Sequence, residues 1–142
     1  MAILQTACTS YKAELAQGLH NFTEGTGDVF KIALYLSTAT LGADTTVYTT
    51  SGETSGTNYT TGGIALTNIT PTTSGTTAYW SFQPATFTNV SLSCAGALIY
   101  NSTNGDRAVC VLNFGNTITK TAQDLVITFP TASATDAILR IE

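Results

Sequence analysis

Any search for chemistry in this chain starts at His20, its one histidine. As a metal ligand His20 would need Glu14 and Glu24 as companions. Helical spacing does not put those three on one short face, and metal sites demand ligands in the right number and geometry. As the base of a nucleophilic triad it would need an orienting carboxylate and a neighbouring hydroxyl. Serines are plentiful, but no GxSxG elbow occurs. The nine carboxylates are Glu14, Glu24, Asp28, Asp44, Glu53, Asp106, Asp124, Asp136 and Glu142. Most fall in turn-like sequence, where acids are ordinary solvated residues. A glycosidase pair would meet only in space, and nothing in the spacing favours one.

Other constellations are equally spare. Glycines at 25 and 27, and at 52, 56, 62 and 63, make neither GxGxxG nor a P-loop. Glu24 and Asp28 do not fit a calcium loop. Cys8, Cys94 and Cys110 stand far apart without a CxxC, which removes zinc and thioredoxin-like readings. Cys94 and Cys110 could face each other across a hairpin, but buried free thiols are the plainer reading. Sequons at Asn21, Asn58, Asn68, Asn89 and Asn101 are what so much threonine, serine and asparagine yields by chance. The six tyrosines could form a sugar platform, yet tyrosine serves cores and protein contacts more often. No catalytic, cofactor-binding or metal-ligating set is therefore expected, and the chain is not read as an enzyme.

The surface that surrounds these residues is unusual. Charged residues make up 10 % of the 142, against roughly a quarter in ordinary domains. Threonine fills the gap at about a fifth of the chain. It is β-branched and favours strands and turns. Apolar residues reach 43 %, too many for disorder. The net charge is −4, and the five cations Lys12, Lys31, Arg107, Lys120 and Arg140 stand singly. Nucleic-acid binding needs clustered cations, so no direct nucleic-acid partner is expected. A weakly charged surface is poorly protected against association, which suggests that partners cover part of it. The first residues lack the basic and apolar regions of a signal peptide, and no run approaches a membrane span. Synthesis in a cytoplasm, without a membrane partner, is expected.

The chain length suits one domain over 1–142. Residues 1–8 read as an arm or short edge strand. Ser10 is a reasonable N-cap for a helix to about His20, with Tyr11, Leu15, Leu19 and Phe22 as an apolar stripe and Gly18 weakening its end. The stretch Asp28–Leu36 organises the rest. Phe30, Ile32 and Leu34 share one face of an extended chain and Lys31, Ala33 and Tyr35 the other. It reads as a central strand with one face in a core. Residues 37–63 are nearly all small or hydroxylated, and too long for an ordinary connection. They read either as an extended arm or loose hairpin whose large residues dock somewhere, or as a floppy surface loop. Strands are expected at Ile64–Ile69, Ala78–Phe82, Phe87–Cys94 and Ala97–Tyr100, the last two separated by a bend or bulge at Gly96. More are expected at Arg107–Phe114, Thr117–Thr121, Leu125–Phe129 and Ala137–Ile141. Turns are expected at Pro71–Gly75, Asn104-Gly105 and Gly115-Asn116. The expected class is all-β, an antiparallel β-sandwich or jelly-roll-like fold with one short N-terminal helix.

Several segments taken as a series carry a resemblance. They are Ser10–Phe22 running into Gly27–Tyr35, then Thr38–Leu41, Gly52–Thr57, Tyr59–Gly63, Ala97–Asn101 and Arg107–Val109. Together they resemble a family of small virion structural proteins of tailed bacteriophages. The resemblance implies a capsid decoration or cement protein that binds the major capsid protein and itself as a homo-oligomer. A tail or head-fibre component is the next placement. It also implies residence in the virion after synthesis in a bacterial host, and it brings no catalytic residues. Ile3 and Leu4 in the arm, and Leu41, Val47, Tyr48 and Tyr59 in the excursion, are the candidate partner contacts. A host-glycan-binding β-sandwich and a small hydrolase are the competing classes.

Overall fold

The structure, a computed structural model, describes residues 2–130, 133 and 137–141. Asp136 and Glu142 of the carboxylates, and Met1 of the arm, lie outside the described residues. Eight strands and one helix appear among those described: β1 (Thr6–Ala7), α1 (Thr9–Ala16), β2 (Phe30–Tyr35), β3 (Ile64–Ala65), β4 (Asn68–Ser74), β5 (Thr77–Phe82), β6 (Ala85–Asn101), β7 (Arg107–Ile127) and β8 (Leu139–Ile141). They form two antiparallel sheets, ordered β1-β7-β6-β2-β3 and β4-β5-β8. The chain is all-β and sandwich-like, with one short N-terminal helix.

The helix is shorter than the apolar stripe suggested. Cys8, not Ser10, is its N-cap, and no side chain caps it. It stops at Ala16 because Gly18 takes φ +72°. The Leu19 N–H then bonds to the Glu14 carbonyl and the Gly18 N–H to the Leu15 carbonyl. Those two bonds are a Schellman stop, which a left-handed glycine permits at little cost. His20 and Phe22 therefore lie beyond the helix and fold back under it. Phe22 stacks on Phe30 at 4.3 Å and meets Trp80 at 5.4 Å, while Phe30 meets Phe82 at 5.8 Å. Phe30 belongs to one sheet and Trp80 and Phe82 to the other, so this aromatic cluster joins the two layers.

β2 is central, as its pattern suggested. It pairs with β6 from Phe30↔Asn101 to Tyr35↔Gly96, and with β3 on its other side. Both of its faces are covered: Ala33 and Tyr35 are as buried as Phe30, Ile32 and Leu34, and only Lys31 is half-buried. The 37–63 excursion supplies the second cover.

Two turn signals turned out not to reverse the chain. Gly115-Asn116 lies inside β7, which is one strand of 21 residues against the 17 of β6. Cys94 pairs with Ile118 and Gly96 with Asn113, so β7 carries extra residues where β6 carries one. Gly115, at φ +84°, absorbs them as a bulge. Pro71 likewise sits within β4, at a register irregularity between Ile69 and Thr72, and the reversal waits for Gly75. β4 is an edge strand, where a missing N–H leaves no ladder partner stranded. The break at Gly96 and the hairpin turn at Gly105 fall where the sequence placed them. Cys94 faces Ile118 and Cys110 faces Ile99, so the two do not meet; all three cysteines are free and buried.

Candidate functional site

The first polar cluster lies under the helix. Glu14 points inward from α1, accepting from Arg107 Nη1 at 3.0 Å and from His20 Nε2 at 2.8 Å. His20 and Glu14 thus do meet, because His20 has left the helix and helical spacing no longer governs it. Asn101 Oδ1 accepts the N–H groups of Thr103 and Asn104, which fixes the amide and turns its Nδ2 toward His20 Nδ1 at 3.0 Å. Nδ1 must then accept and Nε2 must donate, so the ring is the neutral Nε2–H tautomer. Asn101 Nδ2 also donates to Asp28 Oδ2 at 2.8 Å. Each ring nitrogen is occupied from within, and the side chain is fully buried. This is a clamp that ties the helix and the lead-in to β2 onto the β6–β7 turn. No group of metal-binding side chains occurs among the described residues.

The second cluster pins the excursion. Glu53 accepts from the Tyr48 hydroxyl at 2.5 Å, the Tyr59 hydroxyl at 2.7 Å and the Gly62 N–H at 2.7 Å. Tyr59 in turn accepts from the Leu34 N–H of β2, and Tyr35 donates to the Thr49 carbonyl. Tyr48 stacks on Tyr100 at 4.6 Å and Tyr59 on Phe87 at 5.9 Å. Burial, then Asp106 and Glu53, push the Tyr100 phenol up to about 12. Burial above all raises the Tyr48 and Tyr59 phenols, with Glu53 adding to it. These neutral phenols act as donors. The excursion is a strap fastened to the body, which resolves the two sequence readings in favour of docking.

Of the six candidate contacts, four are engaged within the chain. Ile3 and Leu41 are buried and bridge one another, and Tyr48 and Tyr59 are half-buried in the strap. Leu4 and Val47 are 62 % and 46 % exposed. Both lie on one flank. Leu4 donates its N–H to the Leu41 carbonyl, Thr9 to that of Ala43 and Tyr48 to that of Asp106, so Leu41–Tyr48 runs from the arm to the β6–β7 turn. Backbone bonds at both ends hold these two apolar side chains out.

Among the described residues, a trough of about 860 Å³ lies between α1 and β8. Tyr11, Leu15 and Lys12 of the helix line one side and Ile138–Ile141 the other, with Trp80 between. The Tyr11 hydroxyl and Trp80 Nε1 are buried without a hydrogen-bond partner of good geometry. The indole N–H is nonetheless close enough to oppose, weakly, the rise that burial imposes on the Tyr11 phenol. Sequence reading missed this trough. Its signals were a helix with a half-buried Leu15 beside Lys12, and a closing strand with exposed Ile141. Only the fold shows that the two are neighbours.

Comparisons with protein-family models, with curated proteins and with solved structures return no match for this chain.

Proposed function

We propose that this chain is a virion structural protein of a tailed bacteriophage, a capsid decoration or cement protein that binds the major capsid protein and stabilises the shell. The observation that carries this reading is the flank described above. Leu4 and Val47 stand exposed on a rigidly bonded edge of a body with few charges and many hydroxyls. An apolar contact that is already ordered loses little conformational entropy on docking. Binding the assembled shell in preference to loose subunits then stabilises the shell by mass action. The segments that resemble the phage family add the identity of the partner. A homo-oligomer on the shell surface fits the same low-charge exterior.

The glycan-binding alternative draws less support, because Tyr48 and Tyr59 stack against Tyr100 and Phe87 and Tyr11, Tyr35 and Tyr100 are buried, which leaves only half-buried Tyr79 of the six outside these contacts. A tail or head-fibre position uses the same kind of contact and differs only in the neighbour. The test is a double replacement, Leu4→Asp with Val47→Asp, in protein added to decoration-free shells. Occupancy should fall at least tenfold with the circular dichroism spectrum unchanged. Undiminished occupancy would remove this flank as the contact.

A further inference from the structure

We propose that the trough between α1 and β8 is a binding site for an amphipathic carboxylate, a medium-length alkyl acid in which the head and tail are recognised separately. One group at its floor calls for an acceptor. Tyr11 and Trp80 are 3 % and 5 % exposed, and the Trp80 indole N–H lies toward the Tyr11 oxygen, which leaves the Tyr11 hydroxyl hydrogen without an acceptor. Buried donors left in that state are costly, and natural folds leave few of them. Both side chains line the trough, and the two polar groups are neighbours. A ligand oxygen reaching the floor would accept from the Tyr11 hydroxyl after a small side-chain shift.

Charge selects the kind of acceptor. Lys12 and Arg140 line the same trough, and Lys12, among the described residues, makes no ion pair. No acid is found among the described lining residues, although the chain as a whole is acidic. An anionic oxygen is therefore favoured over a neutral carbonyl, and a cationic head is disfavoured. The walls select the rest of the molecule. Leu15, Ala16, Ile138, Leu139 and Ile141 present aliphatic surface and nothing that would hydrogen-bond a polar tail through its side chain. The volume is within the range usual for small-ligand sites, roughly 300–1,000 Å³. Apolar walls with a few convergent polar groups are the general form of such sites. This site lies apart from the Leu4–Val47 flank, and its occupation does not depend on shell binding.

Trp80 is the only tryptophan of the chain, so its emission reports directly on the trough floor. The experiment titrates the full-length protein with dodecanoate below its micelle concentration, and in parallel with dodecanol and dodecylammonium. Native mass spectrometry counts bound molecules in each case. The expected result is a saturable change in Trp80 emission with one dodecanoate bound, and binding about tenfold or more weaker for the other two heads. Lys12→Glu, an exposed replacement that leaves the core intact, should weaken dodecanoate by a similar factor and leave dodecanol unaffected. Equal binding of all three amphiphiles would overturn the carboxylate assignment and leave only apolar partition. Absence of both an emission change and a 1:1 adduct would overturn the site itself. Binding that Lys12→Glu does not weaken would contradict the role given to Lys12.

Discussion

Glu53 is the acceptor to which the strap is fastened. It accepts from Tyr48, Tyr59 and Gly62, three points along a strap that has only isolated bridges to the sheets. Glu53→Ala would leave two half-buried phenols and one N–H without an acceptor. A loss of about 3 kcal/mol is expected, by chemical denaturation. Proteolysis should then cut first within 37–63. Uniform protection of that segment in the variant would show that the strap is held by packing alone. The thiols make a separate prediction. Burial raises Cys8 and Cys94 to about 11 from an ordinary 9.0. Above pH 9 the unfolded chain loses these protons while the folded chain keeps them. The contribution of these thiols should therefore be level below pH 9 and fall between about pH 9 and pH 11, by on the order of 2 kcal/mol per thiol at the top of that window. At neutral pH a thiol reagent should label none of the three cysteines until denaturant is added. Rapid native labelling would contradict their burial.

At the scale of elements, the strap and the long hairpin both depend on backbone that only certain residues tolerate. Gly63 takes φ +80°, and a Cβ there would lie 1.8 Å from the Ile32 carbonyl oxygen. Gly63→Ala should cost at least about 3 kcal/mol, or prevent folding, because the clash is with backbone of the central strand. The opposite sign is expected at Ala122, a non-glycine residue at φ +49° in β7. Ala122→Gly should stabilise by about 0.5–1 kcal/mol, read from the denaturation midpoint, because it relieves left-handed strain. The strands were legible wherever alternation was strong, as in Phe30–Tyr35 and Thr77–Phe82. What sequence could not reveal was whether a turn signal reverses the chain or merely kinks it. Gly115 and Pro71 carry the same local chemistry as true turns, and only the partner strand running past them makes a bulge. The docked strap was half-legible. Its large residues were identifiable, but their acceptor, Glu53, looked like an ordinary loop acid. The trough was not legible at all, because its walls are more than a hundred residues apart in sequence.

The whole molecule is best understood as a stiff double-layered body whose polar clusters are satisfied internally and whose outward apolar residues are held in place by backbone bonds. His20, Glu14, Arg107 and Asn101 spend their hydrogen bonds on one another, as do Glu53 and the strap tyrosines. In the role proposed above, such a body acts on a neighbour by contact. Shells mixed with increasing amounts of the protein should show a melting temperature that climbs with the logarithm of free protein once sites begin to fill, the signature of preferential binding to the assembled state. A melting temperature independent of protein concentration would rule out that mode of stabilisation. The most direct measurement of the proposed role is the copy number of this chain in purified phage particles, set against the major capsid protein by quantitative mass spectrometry. The expected result is a fixed ratio set by the symmetry of the shell, retained through washing. Absence of the chain from particles whose shell protein is abundant would contradict the account.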